Sequence, residues 1–426
     1  MRLFPVGTGV APGVWSNGMN GGRVGSAWRA GVLRAGIALA LAAGLSACGT
    51  LARLEPLPVR QLDAPVSPTQ DPRIRPGDQV RMNEVIELFT RRLAAPDATG
   101  AILALSGGGA NGAFGAGVLV GWTEAGTRPQ FDIVTGISTG ALTAPFAFLG
   151  PEWDDELRAA YTNGGADGLL SPRALAGLVG PSLFSAAPLR RLVDQNVTPE
   201  LLRRIAVEHA KGRRLLVVTT NLDTQEAVVW DMGQLATQGD AQALLLFREV
   251  LIASASIPGV FPPVMISALQ DGQIVQEMHV DGGVNMPFLA VPETVLASSA
   301  RTPGAERVSL YVLVNGQTGR TTGVVRGSLP AILTRTYESM SKATTRTHLA
   351  ANAAFANRNG VTFRVASIPP DTEASAVNFD HDSMVRVFEL GRARALAGEA
   401  WVEPTVELTA EAPLVAPAAA PPPSGR

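Results

Sequence analysis

The segment from Ala101 to Gly140 constrains this chain more than any other. Ala101-Ile-Leu-Ala-Leu105 is apolar throughout and stops at Ser106-Gly-Gly-Gly-Ala-Asn-Gly112; Phe131-Asp-Ile-Val-Thr135 stops at Gly136-Ile-Ser-Thr-Gly140. Apolar runs this short, bounded by glycines, fit strands covered on both faces, as in a parallel sheet. Each glycine turn leads into a helix-like segment. Further along, Arg214–Asn221, Ala227–Trp230, Glu277–Val280, Val308–Val314 and Val361–Val365 read as strands. Val80–Leu93, Glu152–Tyr161, Pro199–Lys211, Ala241–Ser254, Leu329–Ala356 and Asp382–Ala400 read as helices. Such alternation predicts an α/β fold with three layers, α/β/α, around a central, mainly parallel sheet.

The two turns carry the chemistry. Gly107-x-Gly109-x-x-Gly112 follows a strand and opens a helix, which fits a dinucleotide fingerprint. The acid such a site needs belongs at the end of the second strand, however, and Asp132 stands at its beginning. Three adjacent glycines before a helix also suit a cradle of backbone N–H groups for an oxyanion. A purely structural turn is the bland alternative. In the second turn, Gly136 and Gly140 flank Ser138 at a strand-to-helix corner, the setting of an exposed nucleophile. Taken alone, Ser138 also suits a helix N-cap.

A serine nucleophile needs a base, and the chain has four histidines. His209 falls on a charged, solvated helix face, His348 inside the long helix, and His381 at a helix start. Only His279, two residues before Asp281 and on the same strand face, is a candidate base. Asp281-Gly282-Gly283 at a strand end is in isolation often only a turn.

Charge and cysteine content exclude other classes. Net charge is −2, and the first 48 residues contain four arginines and no acid. The remainder is acidic, without the basic footprint of a nucleic-acid binder. One cysteine, Cys48, excludes a disulfide within the chain and argues against a Cys-based metal site. It ends a basic leader and the apolar run Ala35–Leu45, in the sequence Leu45-Ser-Ala-Cys48, which resembles the lipobox of bacterial lipoproteins. That resemblance implies a signal peptide over 1–48, lipid attachment at Cys48, and a lipid-anchored protein of the bacterial cell envelope, periplasmic or outward-facing, on the outer membrane. A plain signal peptide and a buried N-terminal helix are the alternatives, and Met19 is an alternative start. Proline density predicts a tether over 49–79, and an Ala/Pro composition predicts a disordered tail over 411–426. The domain between them spans 80–410, with surface loops over the site expected at Asn163–Pro188.

Four segments occur in the order of one family: Ser106–Gly112, Gly136–Gly140, Ala253-Ser-Ala-Ser-Ile-Pro-Gly-Val-Phe-Pro-Pro263 and Asp281–Gly283. Across a core of 101–287 the chain resembles the patatin-like phospholipases. The resemblance implies a patatin-like fold and a serine acyl hydrolase of the phospholipase A or lysophospholipase type. It makes Ser138 the nucleophile, Asp281 the base, and the N–H groups of Gly107, Gly108 and Gly109 the oxyanion hole, with no metal or cofactor. Gly112, Gly136, Gly140, Gly282 and Gly283 complete the motifs. Asn111 departs from the pattern, since family members often carry Arg or Lys there. The partner is a lipid or phospholipid substrate. A rival expectation is a lipid-binding lipoprotein that keeps the fold without turnover.

Overall fold

Alternation along one strand shows how the layers assemble. In the computed structural model Ala101, Leu103 and Leu105 pack into one core, while Ile102 and Ala104 pack into another. Side chains of a strand alternate between faces, so a run apolar at every position needs cover on both. The structure describes residues 71–75, 78–95, 98–170, 182–270, 273–302, 304–321 and 323–409. Cys48 and its leader, most of the 49–79 tether and the 411–426 tail lie outside the described residues, as does the middle of the loop expected at Asn163–Pro188.

The strands are β1 Arg73–Ile74, β2 Ala101–Leu105, β3 Ile133–Ile137, β4 Arg214–Asn221, β5 Glu226–Asp231, β6 Val264–Gln270, β7 Gln273–Asp281, β8 Ser309–Val314 and β9 Thr362–Ser367. Their order is β1-β5-β4-β3-β2-β8-β9. The five from β4 to β9 along this path are mutually parallel. β5 and β7 both pair antiparallel with β4, and β6 pairs antiparallel with β7. The helices are α1 Gln79–Arg92, α2 Gly112–Glu124, α3 Thr139–Leu149, α4 Asp154–Thr162, α5 Ala187–Asn196, α6 Pro199–Ala210, α7 Met232–Ala236, α8 Ala241–Ser254, α9 Glu293–Ala297, α10 Leu329–Asn359, α11 His381–Leu396 and α12 Pro404–Thr409. No helix of the described residues is long and apolar enough to cross a membrane. The chain leaves β2 toward β3 on one side and later adds β8 on the other. The carboxyl ends of the strands around β2 therefore form the crevice where α/β sheets bind ligands.

Two strands escape the sequence reading. β6 follows Pro262-Pro263 directly, and its alternate residues Val264, Ile266 and Ala268 are buried. β1 falls inside the stretch whose prolines predict a tether, yet Arg73 and Ile74 are packed. Ile74 joins a core with Val218 and Val229. Arg73 pairs with the buried Glu277 at 2.7 Å, so an ion pair and an apolar contact outweigh the local composition. The loop expected at Asn163–Pro188 is pinned at both described ends. Ala166 and Leu169 are buried, the Leu183 and Phe184 N–H groups donate to the carbonyls of Gly259 and Val260, and α5 already begins at Ala187.

Candidate active site

β3 ends at Ile137 and α3 begins at Thr139, so Ser138 alone turns the corner. It does so at φ 57° and ψ −126°, a region that costs a non-glycine residue roughly 1–3 kcal/mol. The backbone caps the helix: the Ser138 carbonyl accepts from the Ala141 N–H at 2.9 Å. The side chain makes no capping hydrogen bond. The hydroxyl is thus left free by the N-cap role that the sequence allowed. Gly136 and Gly140 permit the tight corner. A Cβ on Gly140 would lie 2.5 Å from the Leu105 carbonyl oxygen, so this glycine seats the Ser138 corner on the end of β2.

The first turn lies alongside. A Cβ on Gly107 would sit 3.8 Å from Ser138 Oγ. The Gly107 N–H donates to the Pro287 carbonyl at 3.4 Å, whereas those of Gly108 and Gly109 make no hydrogen bond among the described residues. Of the three expected donors, the unengaged pair is therefore Gly108 and Gly109. Gly109 has φ 56°, and a Cβ there would stand 2.0 Å from the Ala376 carbonyl oxygen. Gly112 opens α2 against Thr139, whose Oγ1 would be 2.0 Å from an added Cβ. Asn111 is buried just before it. Asn315, at the end of β8, holds the turn by donating its backbone N–H to Ser106 Oγ (2.8 Å) and its side-chain amide to the Ser106 carbonyl (2.9 Å). Gly109→Ala is expected to destabilise the fold by about 1–3 kcal/mol and to displace this turn. A lowered denaturation midpoint with impaired turnover is the measurable result.

Asp281 ends β7 and is fully buried. Its Oδ1 accepts the Gly283 N–H at 2.7 Å. Oδ2 is buried and closes no hydrogen bond among the described residues. Burial pushes the carboxyl up to about 7, and the nearby Ser138 hydroxyl and the Gly283 N–H offset only part of this. Gly282 packs on the Val218 carbonyl. A Cβ on Gly283 would lie 3.4 Å from the Tyr337 hydroxyl of α10, and burial, then the charge of Asp281, raises the phenol's pKa.

One segment aligns both residues. The Ser138 N–H donates to Ser254 Oγ at 3.0 Å, and that hydroxyl donates to the Val218 carbonyl at 2.7 Å. Two residues on, the Ser256 carbonyl accepts the Asp281 N–H at 3.0 Å. The Ala253–Pro263 stretch thus clamps the Ser138 corner and the end of β7 together.

The histidines stand elsewhere. His279 is fully buried, with Nδ1 on Thr219 Oγ1 (2.9 Å) and Nε2 on Glu277 Oε2 (3.1 Å). Burial lowers the imidazole pKa. Burial alone would raise Glu277, but His279 and Arg73 outweigh it and hold that carboxyl at about 2. His279 shares no hydrogen bond with Ser138 or Asp281, so the candidate base belongs to a buried polar cluster instead. His209 is not solvated as expected. It is largely buried 3.5 Å from Asp231, and burial lowers its pKa. Asp132 is also spent: it takes Arg92 Nε at 2.8 Å and the Gly100 N–H at 2.8 Å at the far end of β3. That removes the ribose-binding acid from the dinucleotide reading.

Residues 103–292 match the family model of the patatin-like phospholipases. Among solved structures, VipD from Legionella pneumophila is similar at 15% identity over 72% of this chain and 68% of that one, with a TM-score of 0.31. No curated protein matches the chain.

Proposed function

We propose that the patatin-like phospholipase domain carried by residues 103–292 hydrolyses lipid acyl esters through Ser138 and Asp281. The observation that carries this reading is the pairing of a buried carboxylate oxygen without a hydrogen bond with a serine whose strained backbone leaves its hydroxyl out of capping. Ser138 Oγ attacks the ester carbonyl while its proton passes to Asp281 Oδ2. The carbonyl oxygen gathers negative charge and is met by the Gly108 and Gly109 N–H groups and the N-terminus of α2. Collapse expels the alcohol, which takes the proton back from Asp281 and leaves an acyl group on Ser138. Water then attacks the acyl carbon and gives its proton to Asp281; collapse breaks the bond to Ser138 Oγ, which takes that proton back as the fatty acid leaves. An ordinary Asp, with pKa about 3.9, is a feeble base for a hydroxyl, and burial raises its basicity toward the operating pH.

The test is turnover of lysophospholipids and fluorogenic acyl esters by the full chain, with mass spectrometry of the trapped intermediate. An acyl mass on the peptide holding Ser138 is expected. No turnover on several acyl classes would favour a binding module, and an acyl group on another residue would refute the assignment. His279→Ala separates the dyad from a triad. It strands Glu277 and Thr219 and is expected to cost about 2–4 kcal/mol of stability. Below its unfolding temperature the variant should keep kcat within about tenfold of the parent, because His279 moves no proton in this scheme. The lipobox-like Cys48 supports the further proposal that a lipid anchor holds the domain at a bacterial envelope membrane, whose lipids would be within its reach.

A further inference from the structure

A second feature lies beyond the end of β8. The chain leaves β8 through Thr318, Gly319 and Arg320, which with Lys342 and Arg346 of α10 and Leu408 and Thr409 line a cavity of about 430 Å³. That volume falls in the range of small-molecule sites, roughly 300–1,000 Å³. Its charge is one-sided. Among the described residues, Arg320 makes no hydrogen bond or ion pair, and neither Lys342 nor Arg346 has a carboxylate at ion-pair distance. Lys342 Nζ donates to the Gly319 carbonyl (2.8 Å) and Thr321 Oγ1 (2.9 Å), leaving one N–H. Arg346 donates to the carbonyls of Thr318 (3.1 Å) and Leu408 (2.7 Å), leaving others. Of the acids nearby, Glu407 lies behind the lining and accepts from the Thr318 and Ser367 hydroxyls, and Glu338 is paired with Arg335 at 3.2 Å. Burial, then Arg335 and Arg346, lowers the Lys342 pKa despite Glu338. Such crowding of like charge is unfavourable unless an anion relieves it.

We infer that this cavity binds a phosphate group, held by Arg320, Lys342 and Arg346. A phosphate monoester brings about −1.5 to −2 charges and three acceptor oxygens, which three converging cations can satisfy. A monocarboxylate would leave most of that charge uncompensated. Lys342 stands five residues beyond Tyr337, about 7.5 Å along the α10 axis and about 140° around it. None of the residues lining the cavity is assigned a part in the acyl chemistry, so its assignment does not depend on the roles of Ser138 and Asp281. A lipid headgroup and a soluble phosphate offer the same chemistry.

The test uses the full chain carrying Ser138→Ala, so that lipids stay intact. Inorganic phosphate and glycerol 3-phosphate are titrated by calorimetry. Vesicles of phosphatidylcholine are compared with vesicles doped with phosphatidic acid by co-sedimentation. Salt-sensitive binding is expected, and Arg320→Ala with Lys342→Ala should weaken it about tenfold or more. Where the double variant unfolds early, Arg320→Ala alone decides, since its side chain bonds nothing among the described residues; a loss of at least about threefold is expected. A loss seen only with doped vesicles identifies the lipid source, and one seen only with the soluble ligands identifies free phosphate. Binding that these substitutions leave unchanged, or no phosphate-dependent binding to any probe, overturns the assignment.

Discussion

Ser138→Ala is expected to lower kcat on acyl esters by about 10⁴-fold or more, because it removes the atom that forms the covalent bond. Steady-state turnover and acyl trapping read this directly. Stability provides the control. Alanine keeps the strained φ of 57°, so the denaturation midpoint should barely move. Ser138→Gly should be equally inactive yet stabler by about 1 kcal/mol, since glycine reaches that backbone region without the steric cost. An inactive alanine variant that has also lost several kcal/mol would assign the effect to folding. An active one would remove Ser138 from the chemistry.

Asp281→Asn is expected to lower kcat by about 10³-fold or more while stabilising the fold at neutral pH. In the parent, only the ionised carboxylate accepts the Ser138 proton. Activity should therefore rise with pH through a midpoint near 7. The stability trend runs the other way. The folded pKa is about 7 against an ordinary 3.8, so between those values the folded chain holds a proton that the unfolded chain has released. Stability conferred by the neutral acid is complete below about pH 4 and is lost as pH climbs through about 7, at a cost of roughly 4 kcal/mol. Asparagine has no charge to bury. Its advantage over the parent should be absent near pH 4 and grow to a few kcal/mol by pH 8. Denaturant titrations across that range measure it. A parent whose stability rises over the same window would mean that Asp281 is ionised and paired.

Much of the central sheet was legible, for definite reasons. β2 and β3 announce themselves because a strand buried on both faces must be apolar at every position, and because glycines end both. The corner at Ser138 was legible because Gly136 and Gly140 tolerate an approach that any Cβ would block. β1 was not, since Arg73 reads as a polar residue among prolines until Glu277 appears 204 positions later. β6 was hidden behind two prolines, and α5 behind a Gly- and Ser-rich stretch. His279 was placed correctly on a strand but given the wrong partners: its neighbours Thr219 and Glu277 are set by the β4–β7 register. Asn315 carried no local signal at all, because its bonds reach Ser106 across 209 positions.

The sequence by itself determined the alternation of strand and helix, the two glycine corners, and the residue types able to act as nucleophile, donor and base. These follow from local sterics and short-range periodicity. Only the tertiary structure decided which atoms are unengaged. It gave the Gly107 N–H to Pro287, left those of Gly108 and Gly109 without a partner among the described residues, and spent Asp132 and His279 on buried polar contacts. It also brought Asp281 beside Ser138 through Ser254 and Ser256 and buried its Oδ2 without a hydrogen bond. Burial and hydrogen-bond satisfaction depend on long-range packing, so no window of sequence contains them.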